Sequence, residues 1–183
     1  MVITTNSTDE SLMAAVREGA CAELETLFDR HHLALYEFFY RMTGDRETSE
    51  SLVQDVFYRI LKYRDTFRDE GRFKSWLFRI ARNAHHDAFR KQAESSTFDD
   101  DSKLMRKVSP ADPEVSRKDK LRTLRDALLQ LPEDRRELVV FTQYHHLTPE
   151  EIAELLDIDL PAAKVRVHRA MMDLRDFYRM FSG

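Results

Sequence analysis

Two sets of cationic side chains recur at helical spacing, and both are suited to binding a polyanion. In the first, Lys74, Arg79, Arg82, Asn83, Arg90 and Lys91 fall largely opposite Phe73, Trp76, Leu77, Ile80 and Ala84. In the second, Lys164, Val165, His168, Arg169 and Met172 point away from Ala163, Val167, Ala170, Leu174 and Phe181, with Met171 and Tyr178 beside the inner set. Guanidinium and ammonium groups hold phosphates, and where they reach a base edge they discriminate guanine, while an exposed valine can meet a thymine methyl. Trp76 invites a role in base stacking. It shares its face with Phe73, Leu77 and Ile80, so core packing is the expectation.

No other residues form a reaction centre. There is no Gly-rich phosphate loop and no nucleophile paired with a base, so no enzyme is expected. The doublets His31–His32, His85–His86 and His145–His146, with the single Cys21, lack CxxC or HxxxH spacing, so neither metal nor cofactor is expected. His85 and His86 lie on the first cationic helix, where they would add positive charge below pH ~6.5. Asp99, Asp100 and Asp101 read as solvated linker.

The elements that position the two cationic faces are helices. Only four Gly and five Pro stand in 183 residues, and Leu, Ala, Glu, Arg and Met recur in long runs, which favours an all-α chain. Thr8 or Ser11 can cap a short helix through Arg17. From Ala20 to Met42, Leu24, Leu27, Phe28, Leu33, Leu35, Tyr36, Phe39 and Tyr40 recur at helical spacing, with Gly44 as a left-handed terminator. Asp45 caps the next helix, whose Leu52, Val53, Val56, Phe57, Ile60 and Leu61 form one apolar face, leaving Gln54, Asp55, Tyr58, Arg59 and Lys62 outside. These helices form a domain over residues 8–92.

Residues 93–118 lose the apolar period, contain two prolines and read as a flexible linker. A second domain over 119–183 follows, with Leu121, Leu124, Leu128 and Leu129 as one stripe. Pro132 starts the next helix, and Leu138, Val139, Val140, Phe141 and Tyr144 continue the core. Thr148 and Glu151 form a capping box ahead of a short helix Pro149–Leu156. Asp157 to Asp159 make a turn, and the helix after it is the recognition helix of a helix-turn-helix. The fold class expected is therefore all-α: two small helical domains joined by a flexible linker.

The formal net charge is −4, yet residues 59–91 hold ten basic and four acidic side chains. Phosphate attraction is local, so this block outweighs the total. The acidic N-terminal third discourages loose DNA binding by the free protein. No apolar run nears the roughly 18 residues of a membrane span, and the N-terminus has no signal-peptide pattern; together with one cysteine, this leads us to expect a cytoplasmic protein without membrane insertion.

The strings SLVQDVFYRI (51–60) and FKSWLFRIARN (73–83), followed some forty residues later by a helix-turn-helix, resemble regions 2 and 4 of extracytoplasmic-function sigma factors of the sigma-70 family. The resemblance implies a bacterial transcription initiation factor that binds core RNA polymerase, recognises promoters and melts the −10 element. By similarity, Leu52, Gln54, Asp55, Tyr58 and Arg59 would dock on the clamp coiled coil of the largest polymerase subunit. Arg72, Lys74, Arg79, Arg82, Asn83 and Arg90 would meet the −10 element, the turn near Arg68 to Lys74 holding an extruded base. Lys164, Val165, Arg166, His168 and Arg169 would read the −35 element. An anti-sigma factor is implied as a partner. The chain departs from the family pattern at Ser51, Asp157, Pro161 and Ala162, so promoter sequence does not carry over. From residues alone, a helix-turn-helix regulator that binds duplex DNA but not polymerase is the alternative.

Overall fold

The computed structural model describes residues 7–68, 72–95 and 115–182, and among them the secondary structure is helical with no strand. The helices are α1 (Asp9–Arg17), α2 (Glu23–Thr43), α3 (Arg46–Lys62), α4 (Phe73–Ser95), α5 (Val115–Gln130), α6 (Glu133–Gln143), α7 (Pro149–Leu156) and α8 (Leu160–Ser182), with a 3-10 turn at Arg64–Thr66. Their ends follow local chemistry. The Thr8 side chain accepts from Ser11 N, Asp45 accepts from Thr48 N, and Gly44 ends α2 at φ 71°. Thr148 and Glu151 cap α7 reciprocally, and Asp157 ends it in the left-handed region at φ 54°.

In the N-terminal half α2 and α3 pack side by side, α3 packs on α4, and α1 crosses α2. Leu12, Met13 and Val16 bury α1 in this core. Its acids add longer reach: Asp9 accepts from Arg30 and contacts His31 Nε2 at 2.7 Å, while Glu10 accepts from Phe73 N, satisfying a free N–H at the start of α4. Trp76 is part of the packing, its ring 5.3 Å from Phe67 and 6.1 Å from Phe73. In the C-terminal half α5, α6 and α7 all pack on α8.

The two halves also pack on each other, through α2 against α5 and α6 and through α4 against α7. Phe38 and Phe141 are fully buried at this seam and Phe78 is buried beside them. Phe38 and Phe141 stack at 5.2 Å, and Phe78 meets Phe141 edge-on at 5.6 Å. Arg41 lies 3.4 Å above the Tyr144 ring, a cation-π contact. Arg136 donates to Met42 O at the end of α2 and to Leu129 O and Leu131 O at the end of α5, so one guanidinium joins two helix C-termini.

Several expectations need correction. Leu33, Phe28, Leu121 and Phe181 are exposed rather than inward, whereas Phe38, Phe78 and Ala127 are buried. A single apolar stripe accounts for one buried face, but α2 and α4 each bury two. The expected linker is also shorter where it is described, because α4 continues to Ser95 and α5 already begins at Val115. Residues 96–114 of that linker, and residues 69–71 of the turn expected to hold a base, lie outside the described residues.

Candidate nucleic-acid interface

The recognition helix is built from the turn upward. Asp159 accepts from Ala162 N at 2.7 Å, which starts α8 with a satisfied N–H. The buried side of α8 is Ala163, Ala170 and Leu174. On the opposite side Lys164, Val165, Arg166, His168 and Arg169 are all exposed, Val165 to 48%. Among the described residues, none of these four cationic or imidazole side chains is hydrogen-bonded or ion-paired. The face is open, as expected.

The cationic face of α4 has a different environment. Three of its residues expected to point outward, Lys74, Arg79 and Arg82, together with Arg72 just before the helix, are engaged by the C-terminal half. Arg72 lies 3.7 Å from the Glu151 carboxylate, Lys74 donates to His145 O at 2.5 Å, Arg79 donates to Glu154 O at 2.7 Å, and Arg82 pairs with Glu137 at 2.6 Å. The Glu154 carbonyl belongs to the last turn of α7, where C=O groups carry partial negative charge, and it also accepts from Asp157 N at 3.4 Å. The same chemistry that suits phosphate oxygens is met here by carboxylates and helix-end carbonyls. Asn83 and Arg90 stay exposed, Arg90 contacting Asp87 at 3.4 Å. Asn83 opens onto a polar pocket of about 270 Å³ with Arg59, Tyr63 and His86.

Burial perturbs the seam's titratable groups. Glu137 is only 2% exposed, and desolvation pushes its carboxyl up to about 7, with Arg82 pulling the other way. Burial holds His145 at about 4, ringed by Phe38 and Phe78. His85 is likewise held at about 4 by burial, so it does not supply the positive charge expected of it, and His86 is also lowered, chiefly by burial. Glu133, Glu137, Arg136 and His145 carry no motif. Their role at the seam was not visible from spacing within one helix.

On α3, Gln54 is exposed and Tyr58 is 65% exposed. Leu52 is buried, so it packs the helix and cannot be an open docking residue. Arg59 is fixed between Asp55 at 2.8 Å and Asp87 at 2.7 Å. That hydrogen bond holds the Asp87 carboxyl below its usual range. The result is a rigid polar surface on α3, braced from α4.

Residues 27–95 match the family model for sigma-70 region 2, and residues 121–174 match that for sigma-70 region 4. The RNA polymerase sigma factor CarQ of Myxococcus xanthus is 34% identical over 90% of this chain and 94% of its own length. The ECF RNA polymerase sigma factor SigX of Bacillus subtilis is 30% identical over 82% and 81%. In fold, the chain is similar to CnrH solved in complex with the cytosolic domain of CnrY, with a TM-score of 0.71, 23% identity and coverage of 94% and 97%. It is also similar to the sigma factor RpoE solved with the anti-sigma factor NepR from Bartonella quintana, with a TM-score of 0.64, 22% identity and coverage of 85% and 96%. Two helical halves matching regions 2 and 4 in order, with an open recognition helix in the second, place this chain in the sigma-70 family as an extracytoplasmic-function sigma factor, a transcription initiation factor that binds RNA polymerase and promoter DNA.

Proposed function

We propose that the work of initiation is divided among three surfaces. The α3 face of Gln54, Asp55, Tyr58 and Arg59 docks on core RNA polymerase. Arg72, Lys74, Arg79, Arg82, Asn83 and Arg90 engage the −10 element, and Lys164, Val165, Arg166, His168 and Arg169 read the −35 element. The observation that carries this reading is the placement of two cationic helix faces, one in each half, on helices matched to regions 2 and 4. The −35 face is open, whereas four −10 residues are held by the C-terminal half. Their contacts to Glu137, Glu151, His145 O and Glu154 O must therefore be exchanged for DNA contacts, which makes opening of the seam part of promoter engagement. Polar contacts exchanged in this way favour a switch, because the cations lose few hydrogen bonds in either state.

Strand chemistry belongs to the polymerase, and the chain itself performs none. An anti-sigma factor is a further partner, by analogy with the complex of RpoE and NepR. The domains that carry these functions are residues 8–92 and 119–183.

The test is initiation by purified core RNA polymerase supplied with this protein, on fragments of its own genome. Defined transcript starts that need the protein are the expected result. A variant with Gln54, Asp55 and Arg59 all replaced by Ala should lose core binding while remaining folded; unchanged core binding would reject the α3 surface.

A further inference from the structure

We propose that His85, His86 and Glu133 form a binding site for a divalent transition cation of the zinc class, bridging the two halves of the molecule. The ligand atoms of these three residues all lie within 4.8 Å of one another. His85 Nδ1 is 2.9 Å and His86 Nε2 is 3.5 Å from Glu133 Oε1. Around a tetrahedral ion with bonds near 2.0–2.1 Å, neighbouring donor atoms stand roughly 3.3–3.5 Å apart, so the two contacts to Glu133 are near that spacing, and the rest of the set, within 4.8 Å, closes by side-chain rotation at the half-exposed His86. Glu137 Oε2, 3.9 Å from His86 Nε2, stands next to the cluster as a fourth donor.

The carboxylate is not otherwise committed. Glu133 Oε1 is shut off from solvent and has no hydrogen-bond partner, because its close approach to His85 lacks hydrogen-bond geometry. A buried acceptor left this way is costly, and a cation would satisfy it. His85 is 1% exposed and held on the inner side of α4, its ring 4.5 Å from Phe89, so its nitrogen is already oriented. Access comes from an open pocket of about 580 Å³ lined by His86, Phe89, Arg90, Glu133 and Asp134. The nearby charges of Arg82 and Arg136 are balanced by Glu133 and Glu137, so the cluster presents no net positive barrier. Two imidazoles and a carboxylate select zinc, nickel or cobalt over magnesium or calcium, which need oxygen shells. Because the imidazoles come from α4 and the carboxylate from α6, a bound ion ties the two halves together at the place where Arg82 is already held.

The experiment uses tag-free full-length protein, stripped with chelator and titrated with zinc chloride at pH 7.5 against a chromogenic chelator. One ion per chain is expected, with a rise in Tm on loading. His86→Ala and Glu133→Gln, both at partly exposed positions, should each weaken binding by about tenfold or more with an unchanged circular dichroism spectrum. His31→Ala, at the separate contact with Asp9, should bind like the parent protein. Absence of stoichiometric binding, binding untouched by the first two variants, or binding lost in His31→Ala would each overturn the site.

Discussion

Phe38 of α2 and Phe141 of α6 stack with ring centroids 5.2 Å apart and planes within 4°, and neither has any exposed surface. They come from segments matched to different regions of the family, 103 positions apart in the chain (141 minus 38). The pair makes the seam between the halves part of one hydrophobic core. Region 4 is therefore docked on region 2 in the structure, and part of the basic face of α4, Lys74 and Arg82 above all, is engaged as a consequence.

Truncating this contact should be severe. Phe141→Ala is expected to cost about 3–5 kcal/mol in denaturant unfolding, because it removes a buried aromatic and leaves a cavity beside Phe38 and Phe78. A loss below about 1 kcal/mol would mean that the halves fold without the seam.

Acid should loosen the same seam. His145 is held at about 4 by burial, against an ordinary value of 6.5. It faces Glu37, which opposes the shift, and Lys74, Arg41 and His146, which reinforce it. Between these two values the unfolded chain binds a proton that the folded protein does not, so the stability from neutral His145 is complete above about 6.5 and declines toward 4. His85 acts in the same direction. Glu137, raised to about 7, opposes them, since its carboxyl keeps a proton in the folded state that the unfolded chain releases. Thermal melts should show lower Tm at pH 5 than at pH 7.5, and His145→Gln should reduce that difference. An equal pH response in the variant would remove His145 from the account.

The helix-turn-helix depends on its caps. Thr148→Ala breaks the reciprocal capping box with Glu151 and should cost about 1 kcal/mol. Urea unfolding monitored by circular dichroism measures this directly, and an unchanged midpoint would show that Glu151 alone suffices.

Promoter reading should respond to the open face of α8. Lys164→Ala or Arg169→Ala is expected to weaken binding by roughly 1–3 kcal/mol if the side chain contacts a base in bidentate fashion, and by less if it holds a phosphate. Initiation assays over a set of −35 variants would distinguish the two, because a phosphate contact weakens all sequences alike and lowers the salt dependence. Neither variant altering −35 preference would point away from this helix.

Much of the molecule was already determined by local sequence. The caps at Thr8, Asp45, Thr148 and Asp159, the left-handed end at Gly44 and the short α7 all follow from side-chain hydrogen bonds and steric limits within a few residues, which operate before any tertiary contact forms. The cationic faces followed too, since helical periodicity alone assigns Lys164 and Arg82 to their sides. What only the tertiary structure decided is where those faces look. Phe38 and Phe78 sit on second buried faces that one apolar stripe does not predict, and Leu52, placed on the docking surface by similarity, is packed inside. Arg82 meets Glu137, and His85 meets Glu133, across more than forty residues of sequence. Such pairings depend on chain closure and on the balance between desolvation and charge contact, quantities that periodicity does not encode.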